Sequence, residues 1–150
     1  MAKLKFAFYW AASCGGCEVA VLDIHEKILD VAALADIVFW PVALDFKYSD
    51  LRALQRGSVD VAFFNGALRN SEQVEIAHLM REKARVLVAF GTCAHLGGIP
   101  ALANLTERES LLERVYVTTE TTHNPLGTLP QPESRLPEGT LSLPRLLDSV

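Results

Sequence analysis

Three cysteines are the residues of this sequence whose type and spacing suggest chemistry. Cys14 and Cys17 form a C-x-x-C pair with two glycines between them, and Cys93 follows a Gly-Thr dipeptide. An odd number of cysteines that includes such a pair is typical of metal binding or redox chemistry, not of a disulfide framework. Thiolates are soft ligands that select zinc, Cu(I) or iron–sulfur clusters. A zinc ribbon would need a second C-x-x-C pair, and an iron–sulfur cluster usually takes four cysteines.

Two other interpretations of the same residues stay open at this point. A C-x-x-C pair where a strand turns into a helix is also the arrangement of a thiol–disulfide oxidoreductase, which would use Cys14 and Cys17. Against it stands Cys93, which the fold prediction below brings to the same edge of the sheet. A binding module without a redox centre is the second alternative, and a single cysteine such as Cys93 is often only a small buried hydrophobe.

The elements that must position these thiols follow a repeating pattern. Short apolar runs without strict alternation are typical of strands that are buried on both faces of a parallel sheet. The predicted strands are Leu4–Trp10, Ile37–Pro41, Val59–Asn65 and Arg85–Phe90. The predicted helices between them are Cys17–Leu29, Ser49–Gln55 and Ser71–Lys83. Strand–helix alternation predicts an α/β fold, a flavodoxin-like doubly wound parallel sheet with strand order 2-1-3-4.

This topology predicts that the three thiols lie at one edge of the sheet. Cys14 and Cys17 follow the first predicted strand and open a helix, and Cys93 follows the fourth. Ligands of doubly wound sheets bind at the carboxyl ends of the strands. The partial positive charge of a helix N-terminus is expected to lower the pKa of the thiols and to favour the metal-binding thiolate.

The pattern weakens after Cys93, and five of the seven prolines lie between His123 and Pro144. We therefore divide the chain into a flavodoxin-like domain, residues 1–118, and a Pro-rich extension, residues 119–150. The expectations for this region are a loop with room for a turn of helix over Ala94–Asn104, and a capping box at Thr106–Glu109 before a short helix that ends near Arg114. They continue with a last strand over Val115–Thr118, an extended surface segment over His123–Pro144, and a helix over Leu141–Val150.

Composition excludes several classes of partner. The net charge is −4 and no basic block occurs, so nucleic acid is not expected to bind. No apolar run approaches the roughly 20 residues that span a membrane, and the N-terminus has no signal-peptide pattern. These observations predict a cytoplasmic protein with no membrane span.

At the cysteine motifs the sequence resembles the small subunit of nickel–iron hydrogenases, in particular the methyl-viologen-reducing type that is linked to heterodisulfide reductase. The stretches that carry the resemblance are Phe8-Tyr9-Trp10, Ser13-Cys14-Gly15-Gly16-Cys17-Glu18, Val38-Phe39-Trp40-Pro41-Val42, the run from Phe64 to Glu72, and the run from Val88 to His95. The cluster-bearing 20 kDa subunit of NADH:quinone oxidoreductase belongs to the same superfamily. Its first motif has adjacent cysteines, so the two intervening glycines favour the hydrogenase branch.

The resemblance implies a function and a ligand set. It implies a flavodoxin-like domain whose [4Fe–4S] cluster lies proximal to the nickel–iron centre of a large subunit, with Cys14, Cys17 and Cys93 as three of four ligands. Hydrogen chemistry would take place in that partner, and electrons would pass to a downstream subunit, such as one of a heterodisulfide reductase complex. The family's fourth ligand lies in a Pro-Gly-Cys-Pro stretch, but no cysteine follows Cys93 here. A further C-terminal part would supply that ligand; without it, a three-iron cluster or a non-cysteine fourth ligand would be needed.

The neighbouring residues allow either a functional or an ordinary role. Glu18 is as compatible with a proton relay as with a surface position near the helix N-terminus. His95 could donate to a cluster sulfur or lie in solvent. Trp10, Phe39 and Trp40 are expected in the core, as aromatic residues of strands usually are.

Overall fold

A computed structural model of the chain describes residues 2–143. Its centre is a sheet of four strands in the order β2-β1-β3-β4, in which all three neighbouring pairs are parallel. The flavodoxin-like arrangement and the strand order predicted from the sequence are both confirmed. The strands are β1 (Leu4–Trp10), β2 (Ala35–Phe39), β3 (Val59–Asn65) and β4 (Ala84–Phe90).

Helices connect the strands and continue beyond the sheet. The α-helices are α1 (Gly16–Leu22), α2 (Ile28–Leu34), α3 (Tyr48–Ala53), α4 (Ser71–Lys83), α5 (Thr92–Leu96) and α6 (Arg108–Glu113). The longest, α4, begins where the side chain of Asn70 accepts a hydrogen bond from the backbone N–H of Gln73 at 2.9 Å. Asn at this position satisfies a donor that the helix leaves free.

The first predicted helix is wrong as a continuous element. After α1 the chain forms a 3₁₀ turn, His25–Lys27, before α2 begins. His25 has a φ of +54°, which a helix does not accommodate. The apolar spacing over this stretch therefore belongs to two short helices, of which α2 packs on β2, because periodicity does not show where the helix axis turns.

The core lies between the sheet and helices α3 and α4. Its central side chains are fully buried and include Phe39, Leu51, Ile76 and Met80. Aromatic rings also stack on the opposite face of the sheet, where Phe8 packs on Phe63 with ring centroids 4.8 Å apart. Apolar side chains on both faces explain why the strands show no strict alternation in the sequence.

Several expectations for the region after β4 are wrong. The predicted loop contains more helix than the single turn expected, namely part of α5 and a 3₁₀ helix, Pro100–Leu105. The predicted strand over 115–118 is a π-helical turn, Arg114–Thr118, that continues α6. The backbone N–H of Arg114 bonds back to the α6 carbonyls, so local helical bonds prevail over the strand preference of the Val-Tyr-Val run.

The Pro-rich segment is more ordered than a merely extended chain. It contains a two-stranded antiparallel sheet, β5 (Glu133–Leu136) and β6 (Gly139–Ser142). The backbone N–H of Ser142 donates to the hydroxyl of Ser71 at 3.0 Å, which ties β6 to the start of α4. The helix predicted over 141–150 is wrong at its first two residues, which belong to β6, and residues 144–150 lie outside the described residues.

Within residues 2–143, none of the helices combines the length and the apolar character that crossing a bilayer requires.

Candidate metal centre

The structure places the three cysteines at the carboxyl edge of the sheet. Cys14 is exposed in the loop between β1 and α1, and Cys17 is half-buried in the first turn of α1. Cys93 is half-buried in the first turn of α5, directly after β4. Because β1 and β4 are parallel and are separated only by β3, their carboxyl ends lie on the same side. The expected juxtaposition is therefore present.

Two glycines provide the space in which the thiols lie. A Cβ atom on Gly91 would lie 2.2 Å from the Sγ of Cys17, so this thiol rests directly against the backbone that leads to Cys93. Gly91 has φ +80° and ψ 168°, a conformation that is essentially restricted to glycine. A Cβ on Gly98 would lie 3.1 Å from the Sγ of Cys93. Side chains at these two positions would displace sulfur atoms of two different segments.

The electrostatic prediction for the thiols is wrong at Cys17. Burial raises the pKa of this thiol above its ordinary value, and the neighbouring Cys93, Cys14 and Glu18 raise it further. Desolvation and nearby negative charge outweigh the helix N-terminus, because α1 has only two turns and little dipole to offer. The coupling of Cys17 with both other cysteines nevertheless shows that the three thiols share one electrostatic environment.

A buried polar network lies beneath the C-x-x-C loop. Glu18 is 4% exposed, and its two carboxylate oxygens accept hydrogen bonds from Trp40 Nε1 and, at 2.6 Å, from Asn65 Nδ2. The amide oxygen of Asn65 accepts from the hydroxyl of Ser13 at 2.8 Å. Burial raises the pKa of Glu18, whereas the bonds from Trp40 and Asn65 oppose that shift. Glu18 is thus a buried member of a network and not a surface residue.

The backbone segments that follow β1 and β3 are also hydrogen-bonded to each other. Ala12 and Ala67 form an antiparallel bridge with N–H···O distances of 3.1 and 2.9 Å. Gly66 has a φ of +97°, and a Cβ there would lie 2.8 Å from the carbonyl carbon of Ala11. Only glycine permits this approach. The loop that carries Cys14 is therefore fixed by backbone contacts as well as by side chains.

Trp10 differs from the other two aromatic residues that were expected in the core. Phe39 and Trp40 are buried, but Trp10 is 38% exposed and its indole ring covers Gly15. Its Nε1 donates to the carbonyl of Ser13 at 3.3 Å. The core expectation is wrong for Trp10, which lies over the C-x-x-C loop because it is the last residue of its strand. His95, in α5, is exposed.

The donor set that the three cysteines offer consists of sulfur only. Across residues 2–143, no group of three or more His, Cys, Asp or Glu side chains is close enough to hold one metal ion. The thiols are backed by glycines, which leave room around the sulfur atoms. An all-sulfur donor set suits soft metals, and iron–sulfur clusters are among the groups that use it.

The sequence did not identify Asn65, Ser13 and Trp40 as members of this network. Each lies in a stretch that carried the family resemblance, but none is a ligand type for iron–sulfur clusters. One signal was available: Asn65 is a polar residue at the end of a run that is otherwise apolar. A buried polar side chain requires partners, so a polar residue at this place indicates a structural or positioning role.

Known proteins are similar to this chain over nearly its whole length. The iron–sulfur subunit of the F420-non-reducing hydrogenase of Archaeoglobus profundus is 43% identical, over 98% of this chain and 46% of that protein. A subunit of the F420-non-reducing hydrogenase of Methanothermobacter thermautotrophicus is 40% identical, over 85% of this chain and 40% of its own length. The chain thus spans less than half the length of these relatives.

A solved structure and a family model agree with these relatives. A chain from the crystal structure of an NAD⁺-reducing [NiFe]-hydrogenase in the H₂-reduced state superposes with a TM-score of 0.75 and 32% identity, covering 95% of this chain and 72% of that one. The model of the family described as NADH ubiquinone oxidoreductase, 20 Kd subunit, matches residues 14–133, which include all three cysteines. The chain therefore belongs to the NADH ubiquinone oxidoreductase 20 Kd subunit family, alongside hydrogenase small subunits.

Proposed function

We propose that this chain is the electron-transfer part of a cytoplasmic nickel–iron hydrogenase and carries the [4Fe–4S] cluster proximal to the large-subunit active site. One observation carries the proposal: thiols from two distant segments meet at one edge of the sheet, with Cys17 against the glycine that precedes the Cys93 turn. A sulfur-only site of this kind suits one-electron chemistry at an iron–sulfur cluster.

Cys14, Cys17 and Cys93 are the proposed cluster ligands. Their fourth partner would come from the C-terminal part that lies beyond the Pro-rich extension, residues 119–150, since the similar hydrogenase subunits are more than twice as long. In this proposal residues 1–118 form the flavodoxin-like iron–sulfur domain. None of its residues acts on hydrogen.

The proposed partners follow from the same relatives. A large subunit with a nickel–iron centre would deliver electrons from hydrogen oxidation, and a downstream subunit, in a heterodisulfide reductase complex, would receive them. The relatives are named as subunits of hydrogenases, which supports assembly with other chains. Exposed apolar side chains around the site, such as Trp10, Val19 and Leu96, offer surface for such contacts.

Anaerobic purification with measurement of iron, sulfide and the EPR spectrum of the reduced protein tests the proposal. Wild-type protein is expected to be brown and to give a cluster signal. Cys14→Ser, Cys17→Ser and Cys93→Ser should each lower the iron content strongly, because serine cannot replace a thiolate ligand without altering the cluster. Thr92→Ser, which changes an exposed neighbour of Cys93, is the matched control and should retain the signal.

The dependence on Cys93 separates this function from its rivals. A thiol–disulfide oxidoreductase would be colourless, would reduce insulin disulfides, and would lose that activity on replacement of Cys14 or Cys17 but not of Cys93. A binding module without a redox centre would tolerate all three substitutions. Either pattern would refute the cluster assignment.

A further inference from the structure

We infer that Asn65 is a positioning residue for the C-x-x-C thiols, because its amide is hydrogen-bonded to the residues on both sides of the Cys14–Cys17 segment. Its effect on a cluster rests on the function proposed above. The side chain of Asn65 lies under the site and is not a ligand type for iron–sulfur clusters. Its amide joins the hydroxyl of Ser13 to the carboxylate of Glu18, which few other side chains could do.

Asn65 is placed where it can reach both flanks of the segment. It is the last residue of β3, the strand between β1 and β4, and it is fully buried. Its backbone carbonyl accepts from the N–H of Ala11 at 2.8 Å. Its side chain contacts Ser13, immediately before Cys14, and Glu18, immediately after Cys17. Both cysteines therefore lie between two residues that are bonded to one amide.

Ser13 and Glu18, which flank the two cysteines, need one hydrogen-bond acceptor and one donor, and an amide supplies both. Glu18 presents a carboxylate oxygen at 2.6 Å, which needs a donor, and the hydroxyl of Ser13, at 2.8 Å, donates to an acceptor. An asparagine side chain supplies both from a single planar group. Turning the amide round would put its oxygen against the carboxylate, so the network fixes its orientation.

The far side of the carboxylate is fixed as well. Trp40 Nε1 donates to the second oxygen of Glu18, so the carboxylate cannot rotate away from Asn65 without losing a buried hydrogen bond. Trp40 directly follows β2, and Asn65 ends β3. The segment with the two thiols is consequently attached by side chains to the ends of the strands on both sides of β1.

Asn65→Asp is the sharpest disruption, because it keeps the shape of the side chain and replaces the donor with a second carboxylate. Two carboxylates would then face each other across a hydrogen-bond distance, and the flank at Glu18 should detach. The double variant Asn65→Asp with Glu18→Gln exchanges the amide and the carboxylate. It restores a donor and an acceptor between positions 65 and 18, leaves acceptors for Ser13 and Trp40, and should rescue the segment.

Asn70→Asp is the matched control. It introduces the same change of group at the N-cap of α4, where aspartate accepts the capping hydrogen bond as well as asparagine does. It should behave like wild type in every measurement.

Two measurements on the purified chain are needed. In iron-free, reduced protein, the alkylation rates of Cys14 and Cys17 by iodoacetamide, read by peptide mass spectrometry, report the order of the segment. In anaerobically reconstituted protein, the iron affinity and the EPR spectrum of the reduced cluster report the site. Asn65→Asp should speed alkylation and weaken iron binding about 10- to 100-fold, the usual range for partners that orient ligands. The double variant should return both toward wild type.

The outcomes test the positioning role of Asn65 and the proposed function separately. Unchanged alkylation rates and an unchanged EPR spectrum in a folded Asn65→Asp protein would overturn the positioning role, and so would a double variant no better than Asn65→Asp alone. A subunit that includes the C-terminal part and still binds no iron would refute the proposed function, whereas alkylation rates restored by the double variant would still establish the positioning role. If Asn65→Asp does not fold, the double variant decides alone. A double variant that folds with wild-type alkylation rates would support the positioning role, and one that does not would overturn it.

Discussion

The two segments that carry the cysteines are held in different ways. The loop after β1 is fixed from below by the buried Ser13–Asn65–Glu18–Trp40 network and from the side by the backbone bridge to Ala67. The segment after β4 has no comparable polar network within residues 2–143. Its thiol lies against one glycine, Gly98, and the helical turns of this region expose large apolar side chains, among them Leu96, Ile99 and Leu105.

The difference indicates how rigidly each thiol is positioned. Buried hydrogen bonds need defined geometry, because an unpaired buried group is costly, so the first segment has a single favourable arrangement. Contacts to glycine backbone only limit how close a neighbour comes, and they allow the second segment more freedom. We therefore expect substitutions at the first segment to destabilise the fold, and substitutions at the second to alter mainly the site.

Gly66→Ala should have the largest effect on stability among the glycine substitutions, because its Cβ would meet backbone atoms of the first segment, which cannot move aside as a side chain can. The added Cβ would lie 2.8 Å from Ala11 and 2.9 Å from Ala12, at a φ of +97°. Strain and overpacking together should lower the free energy of unfolding by about 3 kcal/mol, measured by urea denaturation. Gly57→Ala, at φ +65° with open space around it, is the control for backbone strain alone. Equal losses in the two variants would show that the backbone lock is unimportant.

Gly91→Ala should affect the site more than the fold. Its Cβ would lie 2.2 Å from the Sγ of Cys17, and this thiol can rotate away, unlike the backbone beside Gly66. The loss in unfolding free energy should stay at about 1–3 kcal/mol, as expected for a strained backbone position. Iron incorporation, measured per chain after reconstitution, should fall much further than in Gly57→Ala. Normal iron incorporation would argue that the contact between the two segments is incidental.

Ile99→Ala should have the smallest effect and sharpens the contrast between the interior and the second segment. Ile99 is 79% exposed, so its removal should change the unfolding free energy by less than about 0.5 kcal/mol. The same substitution at the buried Ile76 should cost about 2–5 kcal/mol. Chemical denaturation of both variants gives the comparison. A large loss at Ile99 would mean that the second segment is packed more tightly than its exposure indicates.

Much of the fold could be predicted from the residues, and the errors have physical causes. The four strands and their order follow from apolar runs separated by helical stretches, and the structure confirms them. The strand expected over 115–118 failed because β-branched residues favour a strand only when a neighbouring strand is available for pairing. The prediction that Trp10 lies in the core was wrong, because the last residue of a strand can extend beyond the covered part of the sheet.

What the sequence determined on its own is local: four apolar strands, the glycine-separated cysteine pair, and the third cysteine just past the last of those strands. These features depend on residue type and short spacing, which the linear order of residues contains. Only the tertiary structure decided which groups meet beneath the thiols. Asn65 is 47 residues from Glu18 and 52 from Ser13 along the chain, and pairing of β1 with β3 brings them within hydrogen-bond distance. No local preference encodes such a contact, because it exists only once the sheet has assembled.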